Sequence, residues 1–336
     1  MKMKPSILFI HAHTPDTPLF TQFYDYVSRP ESSLDARIYS NDVNMPIQRM
    51  VAAKFGGIPP RFILRGLPLG NAIRISADYI SKNGIKIILE LGDTHNFVWD
   101  NPQSPYLELS VGDVEVDYLI ARWRKTEGYT EEEEPLRRFM DKKKQLRRAE
   151  LIYVPWGINP EIYEGAPLKR DIDVSLLGRY YHKRNLSREA LSRLRERGFK
   201  VVLSKFPVPS MDETYGDKYI NLLRRSKIFL VLGGHRQRQV FLTQKYLEGA
   251  ASGAMLLGDI PYTGKDVFED GVSIVEAKDE QDRVYEKYTL VDRQIQYYLE
   301  HDEERNRIAL EGRRRVLETF SLDKVTREFE EVLKRG

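Results

Sequence analysis

The sequence predicts an α/β protein of two domains, each built on a parallel sheet. Its 336 residues exceed the size at which one hydrophobic core usually stops growing. Short, continuously apolar runs alternate with longer helix-like segments along the whole chain, and strands separated by helices form parallel sheets covered on both faces. The segment EGAPLKRD (164–171) carries Gly, Pro and charges between two such series. It divides the chain into an N-terminal domain (1–163), a linker (164–171), a C-terminal domain (172–320) and a last helix (321–336) expected to cross back to the first domain.

In the first half, SILFIHAH (6–13) reads as a buried strand and PLFTQFYDYVSR (18–29) has helical spacing. DARIYS (35–40) is a further strand. Residues 60–83 end in the helix ADYISKNG with an Asn-Gly stop. IKIILELGD (85–93), DYLIARW (117–123) and LIYV (151–154) are strands, and EEEEPLRRFMDKKKQLRRAE between the last two is a helix with acids early and bases late, as the helix dipole favours. The second half repeats the alternation. Strands DVSLLG (173–178), KVVLSKF (200–206) and KIFLVLGG (227–234) precede the helical segments NLSREALSRLRERG, DKYINLLRRS and TQKYLEGAASG. AMLLGD and GVSIVEA (271–277) follow as strands, and helical segments 284–300, 302–319 and 321–335 close the chain.

Composition excludes several classes. Hydrophobic residues make up 41%, enough for sizeable cores, so global disorder is excluded. A net charge of +3 does not suit a protein that coats nucleic acid. With no cysteine there is no disulfide, thiolate nucleophile or Cys-ligated zinc. A cysteine-free, charge-rich chain fits a reducing cytoplasm. No signal peptide is expected from MKMKPSILFIHAH, and no run approaches the roughly 20 apolar residues of a membrane span.

Ligands of parallel α/β sheets bind at the carboxyl ends of the strands. In the second domain KIFLVLGG ends in Gly233 and Gly234, which let a ligand approach the backbone. His235, Arg236 and Arg238 follow, then a helix whose free N–H groups attract phosphate. On that helix Gln244, Lys245, Glu248 and Ser252 share one polar stripe, and Val240, Leu247, Ala250, Ala251 and Ala254 an apolar one. Spacing alone reads Lys245 and Glu248 as an i,i+3 surface pair. DVSLLG likewise ends in Gly178, followed by Arg179, His182, Lys183 and Arg184. Two such strand ends on one sheet suggest a pocket for a diphosphate. In the first domain Asp93, His95 and His13 are candidate general bases at strand ends, each equally readable as a cap or turn residue. His11 and His13 share a strand face, but no third ligand is identifiable, so no metal is expected. DID (171–173) stands at the start of a strand, the wrong end for a ligand site. The basic runs DKKKQLRR and EGRRRV are interrupted by acids and read as solvated helix faces.

The segments VPWGINPEIY, LLGRYYHKRN, KIFLVLGG, TQKYLEGAASGAMLLGD, DVFEDGVSIVEA and QIQYYLEHDEERNRIALEGRRRVLETFSLDKV, in that order, resemble the nucleotide-sugar domain of GT-B glycosyltransferases. Within that class they are similar to the CgeB-like (spore maturation protein) group near glycosyltransferase families 1 and 4. The resemblance covers roughly 150 to 320 and extends loosely to VDYLIARW and ELGDTHNF. It implies two Rossmann-like domains facing a cleft. It implies that Glu248 holds the ribose hydroxyls of the donor, a task suited to a carboxylate, which accepts two hydrogen bonds from a vicinal diol. It also implies that Arg184, with Arg179 or Lys183, lies near the diphosphate, and that cations and a helix dipole stabilise the leaving group in place of a metal. Two positions depart from the pattern. Val240 stands where family 4 enzymes often carry a second glutamate. Lys245 stands where the CgeB-like pattern has arginine, keeping the charge without the bidentate fork.

The expected function is therefore transfer of a sugar, of the hexosyltransferase type (EC 2.4), from a nucleotide diphosphate-sugar to an acceptor. No further cofactor is implied. The acceptor (glycan, lipid, protein or small molecule) is open, and peripheral membrane contact is compatible with the sequence. A nucleotide-sugar epimerase of the same fold and a catalytically inactive nucleotide-sugar-binding or assembly protein are the alternatives.

Overall fold

The structure is a computed structural model that describes residues 4–11, 18–40, 46–66, 75–90, 112–122, 133–164, 168–177, 182–204, 216–232, 242–277 and 290–335. The chain packs as two compact units, Met1–Pro155 with Asp323–Gly336, and Trp156–Leu322.

The first unit runs β1 (Ser6–His11), α1 (Pro18–Val27), β2 (Asp35–Ser40), α2 (Ile47–Phe55), β3 (Phe62–Gly66), α3 (Ala77–Asn83), β4 (Lys86–Glu90), β5 (Tyr118–Ala121), α4 (Glu133–Lys142) and β6 (Glu150–Tyr153). Its strands form one parallel sheet in the order β2-β1-β3-β4-β5-β6. Strands β3 and β5 are both buried along their whole length, which is why β5 reads as an apolar run and not as an alternating one. Strand β3 is central, yet its run FILRG is broken by Arg65 and flanked by prolines, so it does not stand out as a strand in the sequence. Helix α2 was also not anticipated. Helix α3 has the expected signals, with Ser76 Oγ accepting from Tyr79 N and Gly84 stopping it in the left-handed region at φ 60°.

The last helix, α11 (Leu322–Arg335), contributes Asp323 onward to the first unit. Phe329 sets its ring edge-on to Phe23 at 5.5 Å. Glu330 accepts from Ser32 Oγ (2.7 Å), Ser33 Oγ (2.6 Å) and the Ser33 amide (3.3 Å).

The second unit contains α5 (Pro160–Tyr163), β7 (Ile172–Leu176), α6 (His182–Glu196), β8 (Val201–Leu203), α7 (Asp217–Arg225), β9 (Ser226–Val231), α8 (Gln244–Ala251), β10 (Met255–Gly258), β11 (Val275–Glu276), α9 (Val291–Glu300) and α10 (Asp302–Phe320). The strands are all parallel, in the order β11-β10-β9-β7-β8. Residues 164–171 lie inside this unit, so the division falls at Pro155–Trp156 and not at the expected linker. The reason is packing. Ile158 and Tyr163 are buried in the core of the second unit, and Ile158 bridges to Ser321. In the expected strand 271–277 the first three residues are turn, Ile274 makes an isolated bridge to Asp270, and Val275–Glu276 pair with β10.

Two glycines set how closely these layers approach. A Cβ on Gly249 of α8 would meet Phe229 Cδ1 at 2.4 Å and Leu256 Cδ2 at 2.7 Å, so its absence lets the helix lie on β9 and β10. A Cβ on Gly312 of α10 would meet the Ser273 carbonyl at 2.5 Å. No helix among the described residues is long and apolar enough to cross a membrane.

Each sheet has one point where the chain order reverses. In the first it lies between β1 and β3, in the second between β7 and β9. Such points open a crevice at the carboxyl edge, the usual ligand position in this architecture.

Candidate functional site

The crevice of the second sheet is bordered by the ends of β7 and β9. Of the residues singled out there, Gly178, Arg179, Gly233, Gly234, His235, Arg236, Arg238 and Val240 lie outside the described residues. Lys183 and Arg184 stand in the first turn of α6, which begins at His182, and their side chains are likewise outside the description. That turn contains no acidic residue. A helix N-terminus carries partial positive charge, so cations there are disfavoured until an anion joins them.

Helix α8 is more deeply embedded than its polar stripe implied. Residues Tyr246 to Ala251 are all buried, and Glu248 is 1% exposed. The expected surface pair of Lys245 and Glu248 is therefore corrected, because the carboxylate lies in the interior beside α7. Tyr219 of α7 is fully buried and its hydroxyl donates to Glu248 Oε2 at 2.6 Å. Lys245 Nζ lies 3.3 Å from that hydroxyl and 4.5 Å from the centre of the Tyr219 ring. The order is ammonium, phenol, carboxylate, and each donor polarises the next. Ser252, placed on the same stripe, turns its Oγ to the Gly249 carbonyl at 2.6 Å and finishes the helix.

The other carboxylate oxygen, Glu248 Oε1, is buried and has no hydrogen-bond partner among the described residues. Burial raises the Glu248 pKa, while Lys245 and the Tyr219 hydrogen bond act against the rise. A buried acceptor left unmade costs about 1–3 kcal/mol, more for a charged group. Such an atom is explained if a ligand hydroxyl meets it. Two neighbours share its state. The Tyr163 hydroxyl is buried without a partner among the described residues, its pKa raised well above the usual value by burial and then by the charge of Glu248. Gln244, one turn before Glu248, donates Nε2 to the Gly157 carbonyl at 3.1 Å, and its Oε1 has no partner among the described residues. Tyr163 and Gly157 come from the WGINPEIY segment, which the sequence reading matched as a motif without assigning either a role.

In the first unit the candidate bases Asp93, His95 and His13 lie outside the described residues, and of His11 only the strand position is described. The carboxyl ends of the strands there hold a different group. Arg65 is the last residue but one of β3, Glu90 closes β4 and Arg122 follows β5, all nearly inaccessible. Arg122 Nε and Nη2 both lie 2.6 Å from Glu90 Oε1, and its guanidinium sits 4.9 Å from the Phe23 ring centre. Tyr24 donates to Glu90 Oε2. Burial, then the Glu90 charge, pushes the Tyr24 pKa well up. Burial lowers Arg65 to about 10, so it remains charged at neutral pH. Sequence reasoning missed all three charges. The available signal was one charged residue closing each apolar run, in FILRG, KIILE and LIAR.

The DID segment is occupied structurally. Asp171 binds the Arg225 guanidinium through both oxygens at 2.7 Å and Lys200 Nζ at 2.6 Å, and Asp173 binds Lys227 Nζ at 2.7 Å. These ion pairs hold Asp171 well below the usual carboxylate range, the hydrogen bonds from Arg225 and then Lys200 contributing most.

Two Rossmann-like parallel sheets of this kind define the GT-B fold, and solved structures share it over nearly the whole chain. Anabaena Alr3699/HepE, solved with UDP and glucose, is 10% identical with a TM-score of 0.60, over 98% of this chain and 100% of that one. Sucrose-phosphate synthase from Thermosynechococcus elongatus is 11% identical with a TM-score of 0.62, over 98% of each chain. An alpha-glucosyltransferase in complex with UDP-glucose and DNA containing an abasic site is 9% identical with a TM-score of 0.56, over 98% of each chain. At these identities the likeness establishes the fold. Residues 169–331, most of the second unit and most of α11, match a family model described as glycosyl transferase-like. No curated protein matches the chain in sequence.

Proposed function

We propose that this protein is a glycosyltransferase that takes a sugar from a nucleotide diphosphate donor held by the second unit. The observation that carries the reading is the half-satisfied carboxylate of Glu248, buried in the unit that the glycosyl transferase-like family model matches. Tyr219 fixes one oxygen and orients the other. Oε1 then accepts from one ribose hydroxyl, and the remaining lone pair of Oε2 is available to the second. The diphosphate is assigned to the start of α6. There the helix N–H groups, Lys183 and Arg184 gather positive charge without an acidic counterpart in the turn, and Arg179 precedes them in the sequence. The same charge stabilises the nucleotide diphosphate as it departs. Uridine is the first nucleotide to test, because two of the structurally similar proteins were solved with UDP or UDP-glucose.

The finer reading is hexosyl transfer (EC 2.4) without a metal ion by a cytoplasmic enzyme of the CgeB-like group. Asp93, His95 and His13 are retained as candidate bases toward the acceptor. The test is to incubate the protein with UDP-, GDP- and dTDP-sugars and follow free nucleotide diphosphate, with and without a chelator. Release that survives the chelator and is lost in Glu248→Ala supports the reading. Interconversion of sugars without an acceptor indicates an epimerase, and tight binding without turnover a binding protein.

A further inference from the structure

A second cavity lies at the opposite edge of the same sheet. It is bounded where helices hand over to strands. Arg170 stands two residues before β7, Arg224 lies in the last turn of α7 before β9, and Ser252 and Gly253 separate α8 from β10. Together with Asn306 and Arg313 of α10 they line a cavity of about 570 Å³. This is the amino edge of a parallel sheet, opposite the carboxyl edge assigned to the diphosphate, and Tyr163, which feels the charge of Glu248, also lines it.

The cations here are fixed in place. Arg170 donates Nη1 to the Ser226 carbonyl and Nη2 to the Ser252 carbonyl at 2.8 Å. Gly253, at φ 77°, gives it room, since a Cβ there would stand 2.7 Å from Arg170 Nη2. Arg313 donates Nε to the Ala251 carbonyl at 3.0 Å. Carbonyls position a guanidinium without neutralising it. Burial lowers the Arg170 pKa, and the charges of Arg305, Arg224 and Arg313 lower it further. Arg305 has Asp302 at 2.5 Å. Among the described residues lining the cavity the only acid is Glu164, beside Arg170 and Arg313 and with Arg224, which has an interaction of its own, at the margin. Leu168 and Leu310, 39% and 67% exposed, form an apolar margin.

We propose that this cavity binds a phosphate group, with Arg170 and Arg313 meeting its oxygens, Asn306 adding an amide donor, and the apolar remainder of the ligand resting on Leu168 and Leu310. Forked guanidiniums suit tetrahedral oxyanions. The phosphate belongs either to a soluble phosphate ester or to a lipid headgroup, and the chemistry recognised is the same.

The test uses the full chain with UDP present in excess, which keeps the donor site occupied. Inorganic phosphate is titrated by calorimetry, and co-sedimentation is measured with phosphatidylcholine vesicles with and without phosphatidic acid. Asn306 is exposed on α10, so Asn306→Glu adds a negative charge to the wall without disturbing the core. Wild type is expected to bind phosphate saturably, and Asn306→Glu and Arg313→Gln to weaken binding by about tenfold or more. Vesicle binding that requires phosphatidic acid and is lost in Asn306→Glu assigns the phosphate to a lipid. Binding of inorganic phosphate alone assigns a soluble ester. No binding in either arm, or binding that Asn306→Glu leaves unchanged, overturns the proposal.

Discussion

The Tyr219 hydroxyl donates to Glu248 Oε2 at 2.6 Å, while Oε1 of the same carboxylate is buried with no partner among the described residues. One oxygen is tied to the protein and the other is free for a ligand. Tyr219→Phe keeps the ring volume and removes the tie. A hydrogen bond to a charged group is worth about 1.5–3 kcal/mol, so donor affinity should fall by roughly 10- to 100-fold. Calorimetric titration of UDP-glucose into both proteins measures this, and equal affinities would show that Tyr219 does not position the carboxylate.

Burial raises the folded-state pKa of Glu248 above its ordinary value of 4.5. The folded protein therefore holds this proton more tightly than the unfolded chain. Its contribution to stability is fully present below the unfolded value and is lost as pH rises through the folded one. Glu248→Gln has no proton to lose. Wild type should thus fall in stability relative to Glu248→Gln as pH rises above about 4.5, with the difference levelling off beyond the folded pKa. Urea midpoints of the two proteins across pH 4 to 8 test it, and a difference that grows in the opposite sense contradicts the burial.

Gly249 lets α8 lie against Phe229 and Leu256. Gly249→Ala should cost about 1–3 kcal/mol through overpacking, despite alanine's better helix propensity. A raised melting temperature in this variant would place the helix farther from the sheet than the structure does.

In the first unit, Arg122→Met leaves Glu90 buried with its charge uncompensated. A cost of about 3–5 kcal/mol is expected. The double variant Arg122→Met, Glu90→Gln should recover most of it, because neither residue then needs a counter-ion. Denaturant unfolding of the three proteins gives the coupling, and simple additivity would show that the pair does not interact.

Glu330 of α11 gathers three hydrogen bonds from Ser32 and Ser33. Glu330→Ala should lower the stability of the first unit by about 1–3 kcal/mol. Hydrogen exchange at Ser33 and Leu34 should accelerate, and unchanged protection there would mean that the contact contributes nothing.

The sequence made the alternation of strand and helix legible because doubly buried strands such as KIILE and KIFLV are continuously apolar. It hid β3 because Arg65, a charge that the fold buries completely, interrupts the run. The polarity of Glu248 misled in a related way. Periodicity reads a charged residue as facing water, but Tyr219, 29 residues earlier in the chain, supplies a buried partner. No local pattern announces a hydrogen bond over that separation. The chain division was misplaced for the same cause. The Gly-Pro-rich segment resembled a linker, while the contacts that settle the boundary run from Ile158 to Ser321.

The measurement that bears most directly on the donor site is calorimetric titration of UDP-, GDP- and dTDP-sugars into wild type and Glu248→Ala. At least one donor should bind wild type saturably, and Glu248→Ala should weaken it by roughly 30-fold or more, the loss of about 2 kcal/mol from a charge-assisted hydrogen bond. No binding of any nucleotide sugar to wild type, or equal binding to both proteins, would contradict the assignment of Glu248 to the donor.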